Sequence, residues 1–171
     1  MGIFIKIFFK YFSKNWKVPE RGFDVVNNRD KIFIEMKNKH NTMNSSSSQK
    51  TYMRMQNKIN QDPKATCMLI EVIAKKSQDV KWVISLDGSS VSDDRIRRVS
   101  IDKFYQIVTG KTDAFKKICE VLPIVIVDVI SSRESDVYKN TVFDELKELA
   151  PNLLRSLYLL SFKKYEGFDK F

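Results

Sequence analysis

From Lys31 to Lys39 polar and apolar positions alternate well enough, with the two-residue period of a strand, to set the pattern of a sheet element. Phe23-Asp24-Val25-Val26 begins a short strand, Asn27-Asn28-Arg29-Asp30 has turn chemistry, and Lys31 to Lys39 is a second strand, which together predict a hairpin. The polar stretch from His40 to Ser48, with four consecutive serines, predicts a loop. From Gln49 to about Asn60, Tyr52, Met55 and Ile59 fall at helical spacing, and Asp62-Pro63 closes the helix. Thr66 to Ala74 is nearly continuously apolar, the pattern of a strand covered on both faces, and belongs at the centre of a sheet.

Val80 to Ser85 and Arg95 to Ser100 read as two further strands, separated by a Gly/Ser/Asp-rich turn around Asp87 to Ser92. Beyond them the chain reads as helical over Ile101–Val108 with a stop at Gly110, Asp113–Leu122, Thr141–Ala150 and Asn152 to about Tyr165. Residues 124–130 fit either a strand, by their β-branched content, or a buried helix, by their position. The expected fold class is α/β (α+β), a mixed central sheet flanked by helices with a helical C-terminal part. A single domain over 1–171 divides into an amphipathic N-terminal element (1–20), a catalytic sheet core (21–100) and a mainly helical part (101–171).

Charge adds a partner class to this picture. The 171 residues carry a formal charge of +9, and residues 1–62 hold 12 Lys/Arg against 5 Asp/Glu, whereas residues 63–171 hold 18 against 16. A basic surface of that kind attracts polyanions, nucleic acid first among them; a solvated Lys-rich surface is the bland alternative. Cys67 and Cys119 both lie in apolar runs and read as small buried hydrophobes, which favours a reducing, cytoplasmic location. Lys6 and Lys10 interrupt the apolar opening Met1 to Phe12, so it reads as a packing element and not as a membrane span; an interfacial membrane helix is the alternative for it.

The chemistry is concentrated on the hairpin. Phe33, Glu35 and Lys37 share one face of their strand, Ile32, Ile34 and Met36 the other. With the turn at Arg29-Asp30, Asp24 falls directly across from Glu35 on the same face. Two carboxylates that close need positive charge between them, and Mg²⁺ meets the need with one or two carboxylates and water. Asp24 and Glu35 are thus the expected metal ligands, with the backbone carbonyl of Met36 as a further one, and the cation would polarise water and stabilise a phosphorane-like transition state. Lys37 either orients or deprotonates the water or pairs with the attacked phosphate. Glu-X-Lys alone is more often a solvated surface pair; Asp24 on the paired strand of a basic chain is what raises it above that reading.

The stretch from Phe23 to Val26 followed by Ile34-Glu35-Met36-Lys37-Asn38-Lys39-His40-Asn41-Thr42 resembles the catalytic hairpin of type II restriction endonucleases of the group that cleaves at G-G-N-C-C. Ser100 to Gly110 is similar to a second block of that group. The resemblance implies a restriction-endonuclease-like PD-(D/E)XK core and Mg²⁺-dependent cleavage of double-stranded DNA. It also implies action as a homodimer and a cognate DNA methyltransferase as functional partner. Members of the group usually have a longer N-terminal region, and an acidic residue often precedes the first catalytic strand. Residues 1–18 contain no Asp or Glu. The alternative is therefore an N-terminally truncated, catalytically inactive DNA-binding remnant.

His40 is the only histidine, which excludes His-based triads and multi-His metal sites. It is either an exposed loop residue or a phosphate or base contact beside the site. Asn41, Thr42 and Asn44 belong to a segment that reads as a linker or as DNA-contacting, with the second preferred. Lys39, Lys50, Arg54 and Lys58 are expected to track phosphates, with a solvated helix face as the alternative for the last three, and one arginine of the cluster Arg95, Arg97 and Arg98, with Arg97 the choice, to read guanine. Trp82, Phe104 and Tyr105 are expected in the core.

Overall fold

The structure is a computed structural model and describes residues 14–132, 156 and 159–168. Its centre is a six-stranded mixed sheet in the order β1-β2-β3-β4-β8-β5, built from β1 (Trp16–Lys17), β2 (Val25–Asn27), β3 (Ile32–Lys39), β4 (Thr66–Ile73), β5 (Asp79–Lys81) and β8 (Ile96–Ser100). The first three strands form an antiparallel meander; β4 then runs parallel to β3 and β8 parallel to β4, and β5 closes the far edge antiparallel. A parallel return needs a crossover, and helix α1 (Ser45–Gln61) supplies it between β3 and β4.

The hairpin has the expected register. Val25 pairs with Ile34, Val26 with Phe33 and Asn27 with Ile32. Asn27 holds the turn: its Oδ1 accepts the N–H groups of Arg29 and Asp30, both at 3.1 Å, and its Nδ2 donates to Asp30 at 2.8 Å. Side-chain amides replace a backbone turn in this way, and Lys31 completes the reversal at a φ of 56°.

Residues paired across a sheet share a face, so register sorts the core. On one face Phe33, Cys67, Leu69 and Ile96 pack with Tyr52, Met55 and Ile59 of α1 and with Trp82, whose ring meets Tyr52 edge-on at 5.5 Å. On the other, Ile34, Met68, Ile70 and Val99 pack with α2 (Ile101–Thr109), with α3 (Ala114–Ser132) and with Leu159, Phe162, Tyr165 and Phe168. The Tyr165 hydroxyl accepts from Ala74 N and donates to Val72 O, both at 2.7 Å, tying the late aromatic segment to the central strand. Trp82, Phe104 and Tyr105 are buried as expected, and so are both cysteines.

Several expectations are corrected. Ser45 to Ser48 are not loop but the first turn of α1, because Asn44 caps the helix, its side chain accepting from Ser47 N at 2.8 Å. The strand expected over Val80–Ser85 divides: Asp79–Lys81 joins the main sheet, while β6 (Ile84–Leu86) turns away to pair with β7 (Ser89–Val91). Asp87 and Gly88, at φ of 48° and 82°, form the two-residue turn of that second hairpin, a conformation for which Asp-Gly is well suited. Residues 124–130, which by sequence fit either a strand or a buried helix, are helical, since α3 runs through Pro123 to Ser132. Of the helix expected from Asn152 to Tyr165, Ser156, Leu159 and Leu160 are helical and the chain turns from Ser161 onward. The helix expected over Thr141–Ala150 and the opening Met1–Phe12 lie outside the described residues. No helix among the described residues is long and apolar enough to cross a membrane.

Candidate active site

Register on the α1 face of the sheet brings charged residues together at the C-terminal ends of β3, β4 and β8. Glu35 pairs with Leu69 and Leu69 with Arg98; Lys37 pairs with Glu71 and Glu71 with Ser100. All six lie on one face, where the apolar layer of Phe33, Cys67 and Ile96 gives way to polar side chains. Asp24 immediately precedes β2 and is held by two bonds to β3: its N–H donates to Ile34 O at 2.8 Å, and its carboxylate accepts Met36 N–H at 2.8 Å.

That second bond also aims the carbonyl of Met36. N–H and C=O of one strand residue point to the same neighbour, so the Met36 carbonyl points toward Asp24 and away from β4. The Asp24 carboxylate and this carbonyl therefore lie together at the edge where the β2–β3 ladder ends, one residue along β3 from Glu35.

Glu35 is buried at 8% exposure, and both of its oxygens have cationic partners: Lys37 Nζ donates to Oε1 at 2.7 Å and Arg54 Nη2 to Oε2 at 2.5 Å. Arg54 comes from the middle of α1, also donates Nη1 to Gly22 O at 3.2 Å, and lies 5.2 Å from the ring of Phe23. The site thus binds Glu35 with positive charge on two sides, as an anion in a partly dry setting requires.

The structure gathers Asp24, Glu35, Met36, Lys37 and Arg54, and it places the other expected residues around them. Lys39, Asn41, Thr42, Asn44 and Lys50 are exposed. His40 follows β3 directly, with its N–H donating to Ile73 O at 3.1 Å and its carbonyl accepting from Arg98 Nη2 at 3.0 Å. Thr42 Oγ1 donates to Lys39 O at 2.9 Å, and Asn44 has its capping role. Lys58 lies 4.3 Å over the ring of Phe33. Arg54, expected to track phosphates or to lie on a solvated helix face, is turned inward onto Glu35. Arg97 pairs with Met68 and so projects from the sheet face opposite to Glu35, where Asp79 binds it at 2.6 Å. Its neighbour Arg98 is the arginine on the site's face.

Sequence reasoning missed Glu71. It is 1% exposed and accepts Arg98 Nε at 2.9 Å and Nη2 at 2.5 Å, with Gln78 Nε2 at 3.3 Å. The available signal was a single carboxylate inside an otherwise apolar strand, since a charge buried there has to be paired. Among the described residues no three His, Cys, Asp or Glu side chains gather into a metal cage. Asp24, Glu35 and the Met36 carbonyl nevertheless make a donor set of hard oxygens, which suits Mg²⁺ bound mainly through water and substrate.

An antiparallel meander that passes through one helix into a parallel strand, with helices on both faces, is a restriction-endonuclease-like α/β core. Residues 1–131 match the Eco47II restriction endonuclease family, and the chain belongs to that family. Over 121 residues it is 31% identical to the type II restriction enzyme Sau96I of Staphylococcus aureus, an alignment that covers 66% of this chain and 46% of that enzyme. The chain thus spans about half the length of this curated relative. No solved structure gives a significant match.

Proposed function

We propose that this protein is a type II site-specific deoxyribonuclease that hydrolyses phosphodiester bonds of double-stranded DNA with Mg²⁺, in a restriction-modification system. The observation that supports the proposal is the Met36 N–H bond to the Asp24 carboxylate, which ties Asp24 to the strand that carries Glu35 and Lys37. Family membership supports the same reading.

In this reading Asp24, Glu35 and the Met36 carbonyl hold the cation, which supplies a Lewis acid to activate water and to offset charge on the attacked phosphate. The ammonium of Lys37, already 2.7 Å from Glu35, is placed to bind a phosphate oxygen or orient the attacking water. Water bonds to phosphorus as the bond from phosphorus to one sugar oxygen breaks. The exposed Lys39, Asn41, Thr42, Asn44 and Lys50, with the partly buried His40, lie between the end of β3 and the first turns of α1, and form the proposed DNA contacts. Arg98 is a better candidate than Arg97 for a role at the DNA, because it shares the catalytic face.

A homodimer, with one centre for each strand of a two-fold site, and a cognate methyltransferase belong to the same proposal, as does a cytoplasmic location. The test is incubation with unmethylated plasmid, with and without Mg²⁺, beside Glu35→Ala. Discrete fragments that need both Mg²⁺ and Glu35 are expected. Cleavage by Glu35→Ala would remove the assigned centre, and Mg²⁺-independent binding without cleavage would favour the inactive remnant.

A further inference from the structure

Arg54 has no part in the Asp/Glu-X-Lys chemistry, yet its bond to Glu35 is at least as short as that of Lys37. With Lys37 on Oε1 and Arg54 on Oε2, both oxygens of Glu35 are taken. A divalent cation that approaches this carboxylate meets two positive charges already on it, and its binding is favoured if one of them yields. Lys37 projects from the same strand and face as Glu35 and remains its neighbour in any arrangement of the sheet. Arg54 reaches over from α1, and its side chain is 41% exposed, so it has room to leave.

A second observation shows where it would go. Arg54 Nε is buried and has no hydrogen-bond partner among the described residues, so the guanidinium has an N–H still to satisfy. A planar donor fork with an unfilled position suits a phosphate, which can accept two of its N–H groups side by side.

We propose that Arg54 is the resident counter-cation of Glu35 in the metal-free protein, and that it passes to a phosphate oxygen of bound DNA when a divalent cation takes Glu35. The guanidinium exchanges one anion for another, so the site never holds Glu35 without a positive partner. This inference rests on the nuclease reading above. It makes Arg54 a competitor of the cation before DNA binds and a catalytic residue afterwards.

The two roles have effects of opposite sign, which a merely structural arginine would not produce. Mn²⁺ is titrated calorimetrically into DNA-free wild-type protein, Glu35→Gln, Arg54→Met and Arg54→Lys, and single-turnover DNA cleavage is measured for each, with thermal melts to establish folding. Arg54→Met is expected to bind Mn²⁺ about tenfold more tightly, having lost the competing charge. The same variant is expected to cleave about a hundredfold more slowly, as when one transition-state donor is removed. Arg54→Lys, which keeps the charge but not the fork, should recover part of the rate and show Mn²⁺ affinity near wild type. Unchanged or weaker Mn²⁺ binding by folded Arg54→Met would overturn the counter-cation role, since Arg54 would then only prop Glu35 in place. Wild-type cleavage by that variant would overturn the transfer to phosphate. Mn²⁺ binding that is equal in wild type and Glu35→Gln would instead refute the cation site itself, and the role of Arg54 with it.

Discussion

The carboxylate of Asp24 accepts the backbone N–H of Met36 at 2.8 Å, so the strand that carries Glu35 also holds the Asp24 carboxylate. The bond fixes the Asp24 carboxylate on the backbone of β3, next to the residue that carries the Glu35 side chain. Asparagine retains an acceptor oxygen at this place. Asp24→Asn is therefore expected to fold with the wild-type register and to lose cleavage by about 10³-fold or more, while binding DNA at least as tightly. Cleavage rates beside a gel-shift titration check this; an unfolded Asp24→Asn would mean that the carboxylate charge, not its acceptor oxygen, holds the hairpin.

Asn44 separates a structural role from a binding role. Its side chain caps α1 through Ser47 N, and Asn44→Ala should cost about 1 kcal/mol in chemical denaturation, whereas Asn44→Asp should retain that stability. DNA affinity gives the other half of the experiment. If Asn44 also touches DNA, Asn44→Asp will bind more weakly at unchanged stability, because it places a new negative charge beside phosphates.

Both thiols should be chemically silent in the native protein. Cys67 and Cys119 are fully buried, and burial pushes the Cys67 thiol up to about 12, which leaves almost no thiolate at neutral pH. A thiol-reactive dye should label neither until denaturant unfolds the chain, and then label two. Rapid native labelling of either would contradict the packing of the sheet on α1 or of α3 on the opposite face.

Asp93 supplies a pH dependence. The Arg95 guanidinium beside it, bound at 2.8–3.2 Å through N–H groups of that residue, holds its carboxyl below the usual carboxylate range, while Arg95 also donates to Ile59 O and Pro63 O at the end of α1. A carboxyl depressed on folding stabilises the native state above its unfolded value, near 4, and that contribution disappears as pH falls through the lower folded value. Asp93→Asn is thus expected to be less stable than wild type at pH 7, with the gap closing below about pH 4. Denaturation curves at pH 7 and pH 3 measure it, and a gap that persists at pH 3 would assign the loss to hydrogen bonding and not to charge.

The alternation of Lys31–Lys39 behind a turn of Asn and Asp was enough to determine the hairpin and its register, because both are local. The same holds for α1, whose buried stripe Tyr52, Met55 and Ile59 recurs at helical spacing, and for β4, whose unbroken apolar run needs cover on both faces. What tertiary structure decided lies at contacts between residues distant in the chain. Pairing with β8 drew Asp79–Lys81 into the main sheet and left Ile84–Leu86 to form its own hairpin, a choice that depends on a free sheet edge and not on local pattern. Arg97 and Arg98 are chemically alike in sequence, and only the pairing of β8 with β4 puts Arg98 on the face of Glu35 and Arg97 behind it. Arg54 was legible as a basic residue on a helix, and its bond to Glu35, 19 positions earlier, follows from α1 lying across the sheet. Sequence thus determined the hairpin that carries Asp24, Glu35 and Lys37; the crossover of α1 and the parallel register of β3, β4 and β8 decided which charges surround Glu35.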